Sequence, residues 1–233
     1  MTHRPEIREM EEMGLDLLAQ QFSGSWEAAE WPPDAWLTIS GRRIAIEVVG
    51  VESALLAKAR LRFDKVALRL LAGFRKTALA EEPIGAWAFL SCTAPIRLAA
   101  RTAQAIEERV RKSPRQVRPR SEFAETIHGN EVRLRLLEAQ GVSQAVGFIH
   151  NRGIDPGVLF DLAEALLERL EPKGSPGAPA PHVGERWLLL AANGAHAPVE
   201  ICRSVLSQVS LPAELTTVVM GSRGGRLQIL ANR

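Results

Sequence analysis

An α/β fold is predicted by three observations on this chain of 233 residues. Short apolar runs with strand-like alternation take turns with stretches of helical period along most of the sequence. Apolar residues make up 46% of the chain, so a full core can be buried. A Pro/Gly-rich stretch, "EPKGSPGAPAPHVG" at 171–184, leaves only about 50 residues after it, a small piece for an independent core. The expected organisation is therefore a single α/β domain over 1–233. It has a core at about 5–170, an exposed loop at 171–184, and a strand–helix–strand extension at 185–233 that lengthens the sheet.

The elements follow in order. Pro5 suits a first helical turn, and acids crowd that turn as the helix dipole favours. Ile7, Leu15, Leu18 and Phe22 continue at helical spacing until Gly24. Strands are expected at 36–39 and 43–49, joined by a tight Ser40-Gly41 turn. A long amphipathic helix is expected over 53–80, with Ala59, Phe63, Val66, Leu70 and Phe74 as its apolar stripe and Pro83 closing it. "IGAWAFLSCTA" reads as a buried strand, and 98–112 as a helix. "RVRKSPRQVRPR", 109–120, has six basic residues, no acid and two prolines, so it reads as a loop able to clamp a phosphate backbone or simply to stay solvated. "EVRLRLLEA" and "QAVGFIHN" read as strands and 158–170 as a helix. Beyond the Pro/Gly stretch come a strand in "RWLLLAA", a helix at 198–209, and a strand pair in "LTTVVMG" and "RLQIL" turned by "GSRGGR".

The formal charge of +2 forces no partner. Arginine far outnumbers lysine, which occurs only at 58, 65, 76, 112 and 173. Arginine forks suit phosphate and carboxylate, although the codons of a GC-rich genome produce the same bias. Cys92 and Cys202 lie far apart in apolar contexts with no CxxC pair, so two reduced, buried thiols are expected instead of a zinc knuckle. The N-terminus lacks a signal-peptide core, and no apolar run is long enough to span a bilayer. The expected location is cytoplasmic. His128, His150 and His196 form no HxH or HxxxH pair and read as structural or surface histidines. Trp26, Trp31 and Trp36 are expected to pack under the first helix, with base stacking as the alternative.

Two carboxylates interrupt the strand-like stretch 31–50. Side chains alternate across a strand, so Glu47 points away from Ile44, Ile46 and Val48. Asp34, Trp36 and Thr38 share one face of the preceding strand. A hairpin through Ser40-Gly41 then puts Asp34 and Glu47 on one side of the sheet. Ionised carboxylates in apolar surroundings need a partner, and a divalent cation relieves both the burial and the mutual repulsion. Glu11 interrupts the apolar stripe of the first helix, so Glu11, Asp34, Glu47 and the Val48 carbonyl form a candidate oxygen set. The competing expectation for Asp34 is ordinary turn chemistry. For Glu47 it is a salt bridge to Arg42, Arg43 or a helix arginine.

An acidic N-terminal helix, Pro33-Asp34 opening one strand, Glu47-Val48-Val49 thirteen residues on, then a long helix and another strand together resemble the PD-(D/E)XK nuclease superfamily over roughly 5–93. The resemblance implies a restriction endonuclease-like core and metal-dependent phosphodiester hydrolysis, with Asp34 and Glu47 binding Mg2+ or Mn2+ and Glu11 as an auxiliary acid. The family's lysine position is Val49 here. In such families the following helix sometimes supplies the cation, which makes Lys58 and Lys65 the candidates. The implied partner is nucleic acid, DNA ahead of RNA, with no membrane and with a homodimer left open. Two other readings stand beside it. One is a catalytically inactive member of the same fold that binds nucleic acid or protein. The other is a structural protein whose acids pair with arginines.

Overall fold

The computed structural model describes residues 9–30, 33–51, 56, 58–81, 85–112, 120–139, 142–170, 184–192 and 199–232. Within them the protein is α/β, with mixed sheets flanked by helices. The expectations placed on Pro5, Ile7, Trp31, Ser53, Pro83, 113–119, 171–183, His196 and Pro198 lie outside the described residues. The chain divides into two compact units.

The first unit draws on Met1–Ala57, Glu168–Cys202 and Leu211–Arg233. It holds α1 (Glu9–Gln21), β1 (Ser25–Ala28), β2 (Ala35–Ile39) and β3 (Arg42–Val51). It also holds three later strands, β8 (Arg186–Ala192), β9 (Leu215–Ser222) and β10 (Arg226–Asn232), in one sheet of order β1-β2-β3-β8-β9-β10. Ser40 and Gly41 both adopt positive φ, 49° and 80°, which matches the twist of a two-residue hairpin turn between β2 and β3. Strand β8 lies parallel to β3, so the C-terminal segment extends this sheet. Leu15 and Leu18 of α1 pack on Ile44, Ile46, Val48, Leu189 and Val219, all buried. A side chain on Gly14 would press within 3.2 Å of Ala191 and Leu189, so glycine lets the α1 backbone lie close to β8.

The second unit comprises Lys58–Leu167 and Arg203–Ser210. Its sheet has the order β5-β6-β4-β7, built from β4 (Ala86–Thr93), β5 (Arg120–Ile127), β6 (Asn130–Glu138) and β7 (Gln144–His150). Helices α2 (Lys65–Glu81) and α3 (Ala99–Lys112) cover one face with Leu70, Phe74, Ile106 and Val110 against Leu90, Val132 and Leu134. On the other face Phe160 of α4 (Pro156–Leu170) meets Phe89 and Phe148, with ring centroids 5.9 and 6.5 Å apart. Both faces are covered, which is why β4 is apolar and buried along its whole length. A last helix, α5 (Val199–Leu206), carries residues of both units.

Three expectations are corrected. The helix expected over 53–80 is not continuous: Leu56 is helical, 58–64 are not, and α2 begins at Lys65, where the Asp64 carboxylate accepts the Val66 and Ala67 amides at 3.1 and 2.9 Å. Those bonds, the one from Ala67 above all, hold the Asp64 carboxyl below its ordinary range. Phe63 and Val66, assigned to the apolar stripe, are exposed, and the buried face is Ala67, Leu70, Leu71, Phe74 and Ala78. Second, the strands form two sheets where one was expected, and the strand at 86–93 is not in the sheet of β2 and β3. It pairs with β6 and β7, and the neighbour of β3 is β8. Third, Ser25–Ala28 and Arg120–Ile127 form β1 and β5 where the sequence predicts no strand. Strand β5 turns into β6 through His128 and Gly129 at φ 49° and 78°.

Candidate arginine-bridged acid site

The β2–β3 register pairs Ala35 with Ile46, Trp36 with Ala45 and Leu37 with Ile44. Ala35, Leu37, Ile44 and Ile46 belong to the core under α1, so the alternate residues face the other way. The Asp34 amide extends the ladder by donating to the Ile46 carbonyl at 3.0 Å. Asp34 and Glu47 therefore lie side by side on the face opposite α1, as the alternation requires. In β8 the partner of Glu47 is Leu188 and that of Val49 is Leu190, so Glu47 sits in an apolar row and is only 4% exposed.

Each carboxylate is held. The Val48 amide donates to Asp34 Oδ2 at 2.8 Å. Arg169, in the last turn of α4, aims one guanidinium nitrogen at both acids. Its Nη1 lies 3.3 Å from Asp34 Oδ1 and 3.3 Å from Glu47 Oε2. Arg186, opening β8, places Nη2 3.7 Å from Glu47 Oε1, while the same nitrogen donates to the Arg169 carbonyl at 2.6 Å. Two carboxylates thus face two guanidiniums, and that neutralisation is what permits a buried Glu47.

Glu11 is not brought to this face. Its Oε1 lies 3.6 Å from the point a side chain on Gly50 would occupy, and Gly50 belongs by alternation to the Ile44, Ile46 and Val48 side of β3. The Val48 side chain is buried on that side too, while its amide reaches Asp34. Lys58 and Lys65 belong to the second unit. Lys58 is exposed in a turn, and Lys65 is the exposed first residue of α2. Among the described residues no group of three or more His, Cys, Asp or Glu could hold a metal ion. Arg42 and Arg43, the nearby alternatives for Glu47, instead reach Glu185 at 3.4 Å and Glu27 at 2.6 Å. Arg169 answers only the general expectation of a helix arginine. The one local signal for it is a cation in a last helical turn ahead of "EPKG".

Elsewhere, Trp26 donates to Asp16 at 2.8 Å and packs against the first core, while Trp36 carries the Arg43 guanidinium 4.3 Å from its ring centroid. His128 is exposed, and His150 is buried with Nε2 2.7 Å from Ser91 Oγ and Nδ1 2.8 Å from the Asn151 carbonyl. Burial pushes its pKa below the ordinary histidine value. Both cysteines are buried, as expected, and burial pushes each thiol up to about 12. No helix among the described residues is long and apolar enough to cross a membrane.

Fold and site define an α/β protein whose mixed sheet carries an arginine-bridged pair of carboxylates. Compared with known proteins, the chain matches no family model, no curated protein and no solved structure.

Proposed function

We propose that this chain is a nuclease-like protein with a restriction endonuclease-like core, hydrolysing phosphodiester bonds of nucleic acid with Mg2+ or Mn2+. The observation that carries this reading is the convergence of Asp34 and Glu47, from adjacent strands, on a single guanidinium nitrogen 3.3 Å from each. The spot between them is already one that positive charge occupies. The donor chemistry fits a hard cation, since both side-chain donors are carboxylate oxygens. The N–H and C=O of one strand residue point to the same side. The Val48 carbonyl therefore shares the strand edge from which its amide reaches Asp34. Asp34, Glu47 and the Val48 carbonyl would hold the ion, which when bound supplies an activated water and Lewis acidity.

Val49 leaves the family's lysine position without a cation. Arg169 is the better candidate for that charge than Lys58 or Lys65, because it reaches the acid pair. Its fork suits a phosphate oxygen as well as a carboxylate. The test is cleavage of single- and double-stranded DNA and RNA with Mg2+ or Mn2+. The expected result is cleavage that chelator abolishes and that Asp34→Ala or Glu47→Ala lowers at least about a hundredfold. Undiminished cleavage by Asp34→Ala, or none of any substrate by the native chain, sinks the proposal.

A second reading is favoured by a specific observation. Arg169 reaches both carboxylates and Arg186, which it shares with Glu214, reaches Glu47, so guanidiniums offset the charge of the pair without any ion. On that reading the protein is a non-catalytic binding module. Calorimetry separates the two: Mn2+ binding that Asp34→Ala abolishes supports the enzyme, and no heat supports the module.

A further inference from the structure

The segment leading into α2 is strongly basic. Residues 58–69 read "KARLRFDKVALR", five cations with one acid. The chain before α2 lies along the edge of β7. Arg62 donates its amide to the Ile149 carbonyl at 2.8 Å, Asn151 donates its amide to the Arg60 carbonyl at 3.1 Å, and Leu61 bridges His150. The Asn151 side chain adds a bond from the Arg60 amide at 2.7 Å and one to the Lys58 carbonyl at 3.4 Å. With Lys58 in the turn just before it, the segment from Ala59 to Phe63 is therefore an extended strap. Its alternation turns Ala59 inward and leaves Lys58, Arg60 and Arg62 exposed. Successive cations on such a strap repeat about every 6.6 Å. Phe63 is 48% exposed beside them, and Lys65 follows. The one acid, Asp64, is engaged by the α2 amides and by Arg62 at 3.6 Å. An ordered row of cations flanking an exposed aromatic is the combination that tracks a phosphate backbone and stacks a base.

We infer that the strap formed by Lys58, Arg60, Arg62, Phe63 and Lys65 is a docking surface for single-stranded nucleic acid. The choice of ligand rests on the nuclease reading. The location rests on the strap alone.

The test is fluorescence anisotropy of the full chain with a dye-labelled oligothymidine and with a duplex of equal length, in chelator so that no cleavage occurs, across a salt series. The native chain is expected to bind the single strand. Arg60→Gln/Arg62→Gln/Lys65→Gln should bind at least about tenfold more weakly, with the log–log salt slope reduced by about 2, since each single-strand phosphate contact contributes about 0.7. Phe63→Ala should lose about five- to a hundredfold with the slope unchanged. Arg223→Gln/Arg226→Gln, exposed charges on the β9–β10 turn, should keep the native slope. The inference is overturned if the native chain does not bind, if the triple variant keeps its affinity and slope, if the control loses as much, or if Phe63→Ala changes nothing. Strap-dependent binding without cleavage in Mg2+ or Mn2+ would defeat the nuclease reading and leave this inference standing. Cleavage with an indifferent triple variant would do the reverse.

Discussion

Arg169 holds two acids with one guanidinium, so its removal exposes Asp34 and Glu47 to each other's charge in apolar surroundings. Arg169→Gln should cost about 2–4 kcal/mol at neutral pH, read from the urea midpoint. An unchanged midpoint would show that the bridge contributes nothing to stability. His150 gives a pH signature. Its folded pKa lies below the unfolded value near 6.5, so between those two values the unfolded chain binds the extra proton. Stability is then full above the unfolded pKa and falls as pH drops towards the folded one, by at most about 1.4 kcal/mol per pH unit. His150→Gln should flatten that slope between pH 7.5 and 5, and a slope equal to the native one would contradict this origin. Cys92 and Cys202, with thiols raised to about 12, should resist alkylation at pH 8 until denaturant is added, by mass spectrometry.

The hairpin of β5 and β6 depends on Asn130, which is 1% exposed. Its side chain accepts the Arg97 amide at 2.7 Å and donates to the Arg97 carbonyl, to Thr102 Oγ1 and to the Ile127 carbonyl. Asn130→Ala strands several buried groups at once and should cost about 2–4 kcal/mol in thermal or urea unfolding. A loss under about 0.5 kcal/mol would mean that water replaces these bonds. The neighbouring elements show what a sequence reveals and what it conceals. The β2–β3 hairpin was readable because period two, a Ser-Gly turn and the side on which Asp34 and Glu47 fall are all local properties. Arg169 was not, because it lies 122 positions from Glu47 and no periodicity links them. The start of α2 is hidden in the sequence because "KARLRF" satisfies a helical stripe and a strand alternation alike. The Asp64 cap and the bonds to β7 decide between them.

The first unit is assembled from three separated chain segments, whereas all four strands of the second unit lie within residues 86–150. A chain ended at Leu170 keeps every strand of the second sheet but deprives β3 of its parallel neighbour β8. Hydrogen exchange on that truncation should find β4–β7 amides still protected and β1–β3 amides exchanging freely. Equal protection of both sets would mean that β1–β3 hold together without β8. The same pairing sets an order of events during synthesis. The ribosome delivers β3 early and must complete most of the polypeptide before β8 emerges to meet it. Until then the nascent chain carries an open strand edge, a template for pairing with another chain. A frameshift just past the Leu170 codon would leave Asp34, Glu47 and Arg169 all translated, yet with no finished sheet to hold them together.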